Sequence, residues 1–180
     1  MIYEKRTVIP AKKIEEILEY FDKNCTKKRK EKQIIYNYHT EGQLRIIKTN
    51  NYSKLDYQDN KNKNEIFITK QYSDELINLF NNIGIAIEFK RYRTRYKYIY
   101  NGFYITIDHN YKTGNVMRLK KEYNLNEEKD KLDSIYKEIL EILSLEETNL
   151  DKFNEIYGKY RTSWTDLTKD INDLDFLNSN

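Results

Sequence analysis

Lys90-Arg91-Tyr92-Arg93-Thr94-Arg95-Tyr96-Lys97-Tyr98, followed across Asn101-Gly102 by Phe103-Tyr104-Ile105-Thr106-Ile107-Asp108, is the stretch on which the reading turns. Five cations alternate with tyrosines and stand next to a second alternating segment that ends in a carboxylate. Alternation of this kind marks strands, and Asn-Gly marks a tight hairpin between them. Strands so rich in Arg and Lys suit a polyanion.

Working outward, the pattern predicts strands over 85–92, 94–100, 103–109 and 116–122, the last pair joined at Lys112-Thr113-Gly114-Asn115. Residues 2–9 also alternate like a strand, and Pro10 then opens a helix with Ile14, Ile17, Leu18 and Phe21 on one face. The basic run 27–32 reads as a loop before short strands at 33–39 and 43–48. Residues 49–64 read as a polar surface loop before a strand over 65–70. A helix is expected over 73–82. From Asn126 the period becomes helical, with Leu132, Ile135, Tyr136, Ile139, Leu140 and Leu143 on one stripe; further helices are expected near 149–158 and 165–177. About eight strands with few helices between them predict an α+β chain built on an antiparallel eight-stranded sheet that closes into a β-barrel. Closure would remove exposed edges.

Charge divides the chain in the same way. Residues 1–123 carry 25 Lys and Arg against 15 Asp and Glu, net +10, while residues 124–180 carry 7 against 14, net −7. The expected organisation is a basic barrel domain over 1–123 and an acidic helical segment over 124–180 that packs on it or completes it. The single cysteine, Cys25, allows no intrachain disulfide, and no His/Cys cluster offers a zinc site. No apolar run approaches the roughly 18 residues of a membrane span, so the chain reads as soluble, intracellular and cytoplasmic.

Side chains two apart on a strand share a face, which groups Glu4 with Arg6, Tyr104 with Thr106 and Asp108, and Arg118 with Lys120 and Glu122. Arg45 and Lys70 add cations near strand ends. Turned into one lumen, these residues would make a cavity suited to a chain of phosphates, with its few carboxylates able to hold a divalent metal. The plainer reading has each charge facing solvent and Ile105, Ile107, Met117 and Leu119 facing an ordinary core.

The order of these motifs resembles the triphosphate tunnel superfamily, closed eight-stranded barrels that include the CYTH phosphatases, viral and fungal RNA triphosphatases, and the polyphosphate-polymerase domain of vacuolar transporter chaperones. Tyr3-Glu4-Lys5-Arg6 is similar to its opening strand, Leu44-Arg45-Ile46 to an arginine strand, and Ile68-Thr69-Lys70 to its lysine strand. Lys90 to Arg95, then Ile105-Thr106-Ile107-Asp108, resembles the basic strand and the aspartate strand after it. Ile105 to Asn110 and Gly158-Lys159-Tyr160 are also similar to segments of the polyphosphate-polymerase branch. The chain departs from the pattern at Ile2, where the first of two opening glutamates would stand, and at Arg118, near which members place metal-binding carboxylates.

The resemblance implies cleavage or transfer of phosphoanhydrides in a triphosphate or polyphosphate. Arg45, Lys70 and Arg93 would be catalytic. Arg6, Lys90, Arg91, Arg95, Arg118, Lys120 and Lys159 would bind substrate, and Glu4, Asp108 and Glu122 would hold Mg²⁺ or Mn²⁺. Two readings stand beside it: a barrel that binds triphosphate or RNA 5′ ends without turnover inside a larger complex, and an RNA-binding module stacking bases on Tyr92, Tyr96, Tyr98 and Tyr100. The acidic C-terminal helices either pack on the barrel or bind a protein partner.

Overall fold

A computed structural model describes residues 1–26, 28–59, 61–124 and 129–179. Eight strands are formed: β1 (Ile2–Ile9), β2 (Lys28–Tyr38), β3 (Gln43–Thr49), β4 (Ser53–Gln58), β5 (Lys63–Ile68), β6 (Ile87–Tyr100), β7 (Phe103–Asn110) and β8 (Gly114–Glu122). Five helices accompany them: α1 (Ile14–Asn24), α2 (Lys70–Asn82), α3 (Lys129–Ile142), α4 (Leu150–Thr168) and α5 (Asp173–Asn178). The strands form one antiparallel sheet in the order β1-β8-β7-β6-β2-β3-β4-β5. That order has two end strands, β1 and β5, and the closure suggested by the strand count is not part of it.

Several expectations are corrected in detail. The presumed loop 49–64 contains β4, whose polar surface hides the alternation of Leu55 and Tyr57. The basic run becomes the first part of β2 from Lys28 onward, and Lys27 lies outside the described residues. The two strands expected over 85–100 are one long strand, β6. The expected strand 65–70 stops at Ile68; Thr69 caps α2 by accepting the Tyr72 N–H, which makes Lys70 a helical residue. Helix α4 runs through the expected break after 158. The expected helix start at Asn126 lies outside the described residues.

The chain forms two compact units, Met1–Lys30 with Arg95–Tyr157 and Glu31–Thr94 with Gly158–Asn180. In the first, Tyr3, Ile9, Tyr98, Phe103, Ile105, Ile107, Met117 and Leu119 point from the sheet onto Ile17 and Phe21 of α1 and Leu132, Tyr136 and Ile139 of α3. The period-2 and period-3.6 patterns meet there in one core. Asn101 and Gly102 both take positive φ, 49° and 77°, in the turn between β6 and β7 that the Asn-Gly pair predicts. As an end strand, β1 leaves backbone groups unpaired on one side; the Thr148 hydroxyl takes the Val8 N–H at 3.0 Å.

In the second unit, Ile34, Tyr36, Tyr38, Ile46 and Tyr92 form the buried side of the sheet with Leu177, and Leu76, Ile77, Phe80 and Phe176 pack against them. Helix α5 is fastened by an ion pair. Lys90 Nζ donates to Asp173 at 2.6 and 2.7 Å, the Tyr92 hydroxyl donates to the same carboxylate at 2.6 Å, and the Tyr36 hydroxyl makes a third contact. Among the described residues, no helix is long and apolar enough to cross a membrane.

Candidate functional site

Alternation on β1, β8 and β7 separates the first unit's sheet into two faces. Tyr3, Thr7, Ile9, Met117, Leu119, Phe103, Ile105 and Ile107 fill the core, so Glu4, Arg6, Arg118, Lys120, Thr106 and Asp108 must share the opposite face. Register fixes their rows. Arg6 pairs with Arg118, which pairs with Thr106; Glu4 pairs with Lys120, which pairs with Tyr104; and Asp108 pairs with Val116, which pairs with Val8.

The charges on this face are interlinked. Arg6 donates from Nε and Nη2 to the same Glu4 oxygen at 2.9 and 2.7 Å, and Arg118 Nε stands 3.6 Å from that oxygen. Burial pushes the Glu4 carboxyl upward. The Arg6 hydrogen bond and the charges of Arg118, Arg6 and Lys120 overcome it and hold the group below its ordinary value. Arg118 is shifted downward, first by burial and then by repulsion from Arg6, with Glu4 opposing. Arg95 grips Asp108 through both carboxylate oxygens, at 2.6 and 2.7 Å. Thr106 Oγ1, in the row of Arg6 and Arg118, is buried and makes no hydrogen bond among the described residues, and the same holds for Asn110 Oδ1.

The second unit carries its own polar face. Arg45 on β3 pairs in register with Asp56 on β4 and bonds its carboxylate. Asp56 is 2 % exposed, and both Arg45 Nε and Asp56 Oδ1 are buried without a hydrogen bond. Arg93 is buried and donates to Gln33 Oε1 at 2.7 Å; Gln33 in turn donates to Glu31, which also accepts from the Tyr52 hydroxyl at 3.0 Å. Tyr160 on α4 donates its hydroxyl to the Lys90 carbonyl at 2.6 Å. Burial pushes the Tyr160 hydroxyl up to about 12, with the Arg91 charge opposing.

The expected site residues thus fall into four groups. Glu4, Arg6, Arg95, Asp108, Arg118 and Lys120 come together on the first unit's polar face. Half-buried Arg45 and buried Arg93 lie on the polar side of the second unit, with Arg91 near Tyr160. Lys90 points to the opposite side of β6 from Arg93, because its ammonium is committed to Asp173 and lies over the rings of Tyr36 and Tyr92 at 4.9 and 5.2 Å. Lys70 and Lys159 are exposed helical residues, and Glu122 is exposed at the end of β8. Asp56, Gln33 and Glu31 were missed by sequence reasoning. Asp56 could have been found from the alternation in Ser53-Lys54-Leu55-Asp56-Tyr57, but Gln33 carries no signal before its partner Arg93 is placed.

The sequence matches no protein-family model and no curated protein. Solved structures do match. HpAC1 from Hippeastrum, a candidate adenylyl cyclase described with a dominant triphosphatase activity, aligns with a TM-score of 0.59 at 14% identity, over 88% of this chain and 96% of that one. The chain shares the fold of the CYTH, or triphosphate tunnel, proteins. A candidate adenylate cyclase from Vibrio parahaemolyticus aligns with a TM-score of 0.55 at 12% identity, over 87% of this chain and 97% of that one. A chain of the Schizosaccharomyces pombe Mediator head module aligns with a TM-score of 0.53 at 10% identity, over 79% and 94%. CYTH enzymes generally depend on a divalent metal. Among the described residues, no three His, Cys, Asp or Glu side chains are grouped to hold one.

Proposed function

We propose that this chain binds the phosphates of a triphosphate or polyphosphate on the β1–β8–β7 face and cleaves or transfers a phosphoanhydride there. The observation that carries the reading is the row Arg6, Arg118, Thr106: two guanidiniums in register beside a buried hydroxyl with no partner. Opposed cations destabilise a ladder, and an orphaned buried hydroxyl costs about 1–3 kcal/mol. A phosphoryl group would offset both, because its oxygens accept from guanidinium and hydroxyl together. Lys120 extends the cationic surface along β8. Chemistry at phosphorus needs mainly positioning and charge neutralisation, which these side chains supply without a Ser-His or Cys-His pair. Likeness of fold to HpAC1 supports this class of substrate.

The carboxylates expected to hold Mg²⁺ or Mn²⁺ do not fit that role as a set. Asp108 lies four residues along the strands from the Glu4 row and two strands away, about 13 Å by strand rise alone. Glu122 is two residues from the Glu4 row and six from the Asp108 row, at the exposed end of β8. Glu4 and Asp108 already accept from Arg6 and Arg95.

These commitments favour a second reading, a domain that holds triphosphate or RNA 5′ ends for a protein partner without turnover; the likeness to a chain of the Mediator head module accords with it. Phosphate release from tripolyphosphate, ATP, RNA 5′-triphosphate and long polyphosphate, with Mg²⁺ or Mn²⁺ and with Arg6→Ala as control, separates the two. Turnover lost in Arg6→Ala supports the enzyme. Tight binding with no release on any of the four supports the binding domain.

A further inference from the structure

We propose that the β1–β8–β7 face binds its phosphate chain without a divalent cation, Arg118 supplying the positive charge that an ion would otherwise bring. The inference rests on the phosphate-binding reading of the same face and goes beyond it. Three cations, Arg6, Arg118 and Lys120, act on the single carboxylate of Glu4. A divalent ion placed at Glu4 would enter a field already positive and would have to displace the Arg6 hydrogen bonds of 2.7 and 2.9 Å. The other two carboxylates stand in other rows, Glu122 two residues further along β8 and Asp108 four residues the other way. Asp108 is held through both oxygens by Arg95, and no three potential ligands are grouped among the described residues.

The same surplus of positive charge suits an anion. Arg118 sits at the centre of the three-strand row, opposite Arg6 on one side and the unpartnered Thr106 hydroxyl on the other. Guanidinium can grip two phosphate oxygens in one plane, so a triphosphate laid along β8 would meet Arg118 and Lys120 in succession. Glu4 then serves to position Arg6 and Arg118, and it is not a metal ligand.

Calorimetric titration of the full chain with tripolyphosphate, in EDTA and again in Mg²⁺, tests this. The expected result is binding in EDTA within about threefold of that in Mg²⁺, with Arg118→Gln weakening the EDTA affinity about tenfold or more. Titration of the protein with Mn²⁺ alone, followed by the loss of free Mn²⁺ signal in electron paramagnetic resonance, is expected to show no binding at Glu4. Binding that requires Mg²⁺, or Mn²⁺ uptake abolished by Glu4→Gln, overturns the inference and leaves the phosphate reading standing. No binding under either condition overturns the phosphate reading itself. The wild-type titrations decide the matter even if Arg118→Gln fails to fold.

Discussion

Arg6 and Arg118 face each other as register partners across the β1–β8 ladder, two like charges that both lean on Glu4. Opposed like charges cost a few tenths to about 1 kcal/mol, and burial adds to the strain on the Arg118 charge. Replacing Arg118 with Gln is therefore expected to raise the melting temperature of the ligand-free protein by about 1–3 °C. With tripolyphosphate present the order reverses. A tenfold weaker affinity removes about 1.4 kcal/mol of ligand stabilisation, which lowers the ligand-induced shift by roughly 3–5 °C. Differential scanning fluorimetry with and without tripolyphosphate reads both effects. A ligand-free variant that melts lower than wild type would show that the guanidinium is held by favourable contacts.

Glu4 gives the face an acid limit. Its carboxyl lies below the ordinary value in the folded chain, so the stability it contributes is fully present above the unfolded value and is lost as pH falls through the folded one. Urea midpoints measured from pH 6 to pH 3 are expected to fall more steeply in wild type than in Glu4→Gln, which never has that contribution. Parallel curves would mean that Arg6 and Arg118 do not discriminate between the two protonation states.

Sequence alternation located the polar face of the first unit well, because the same residues that define the core also define its reverse. Once Ile105, Ile107, Met117 and Leu119 were assigned inward, Thr106, Arg118 and Lys120 had one place left to go. The expected total of eight strands combines two opposite errors: β4 is hidden by its polar surface, and β6, divided at Arg93 in the sequence reading, is continuous. Lys90 misled for a tertiary reason. It follows the alternation of β6, but on the side where Asp173 arrives from 83 residues later, and nothing local to residues 87–100 reports that partner. Lys70 misled for a local one, since Thr69 is a good cap and starts the helix at Lys70, three residues before its expected start.

Asp108 provides a separation between two roles. If its carboxylate serves to balance Arg95, Asp108→Asn relieves that guanidinium of its bidentate partner and adds one positive charge to the face. Tripolyphosphate is then expected to bind about threefold tighter in low salt, with the gain shrinking as salt screens it. Loss of a charge-assisted pair costs the fold about 1–3 kcal/mol, so the variant should also melt earlier. Weaker binding in Asp108→Asn would instead give the carboxylate a direct part in holding the ligand.

Asp173 carries the last prediction, which concerns how α5 stays on the second unit. Six residues cannot hold a helix in water by themselves. Its buried Leu177 and half-buried Phe176 supply apolar contact, and Asp173 supplies the polar anchor to Lys90, Tyr92 and Tyr36. Burial alone would raise this carboxyl, but the hydrogen bonds from Lys90, Tyr36 and Tyr92 bring it below its ordinary value. Asp173→Ala would strand a Lys90 ammonium whose side chain is 17% exposed, at a cost of about 2 kcal/mol, below the figure for fully buried pairs because the carboxylate is itself partly open to water. Hydrogen exchange is expected to quicken over residues 173–178 while the amides of α3 stay protected. Asp173→Asn should retain part of the protection, since an amide oxygen still accepts from the two hydroxyls but no longer balances the ammonium. If both variants exchange like wild type, the apolar contacts of Phe176 and Leu177 are sufficient to hold the helix, and the ion pair adds nothing that folding requires.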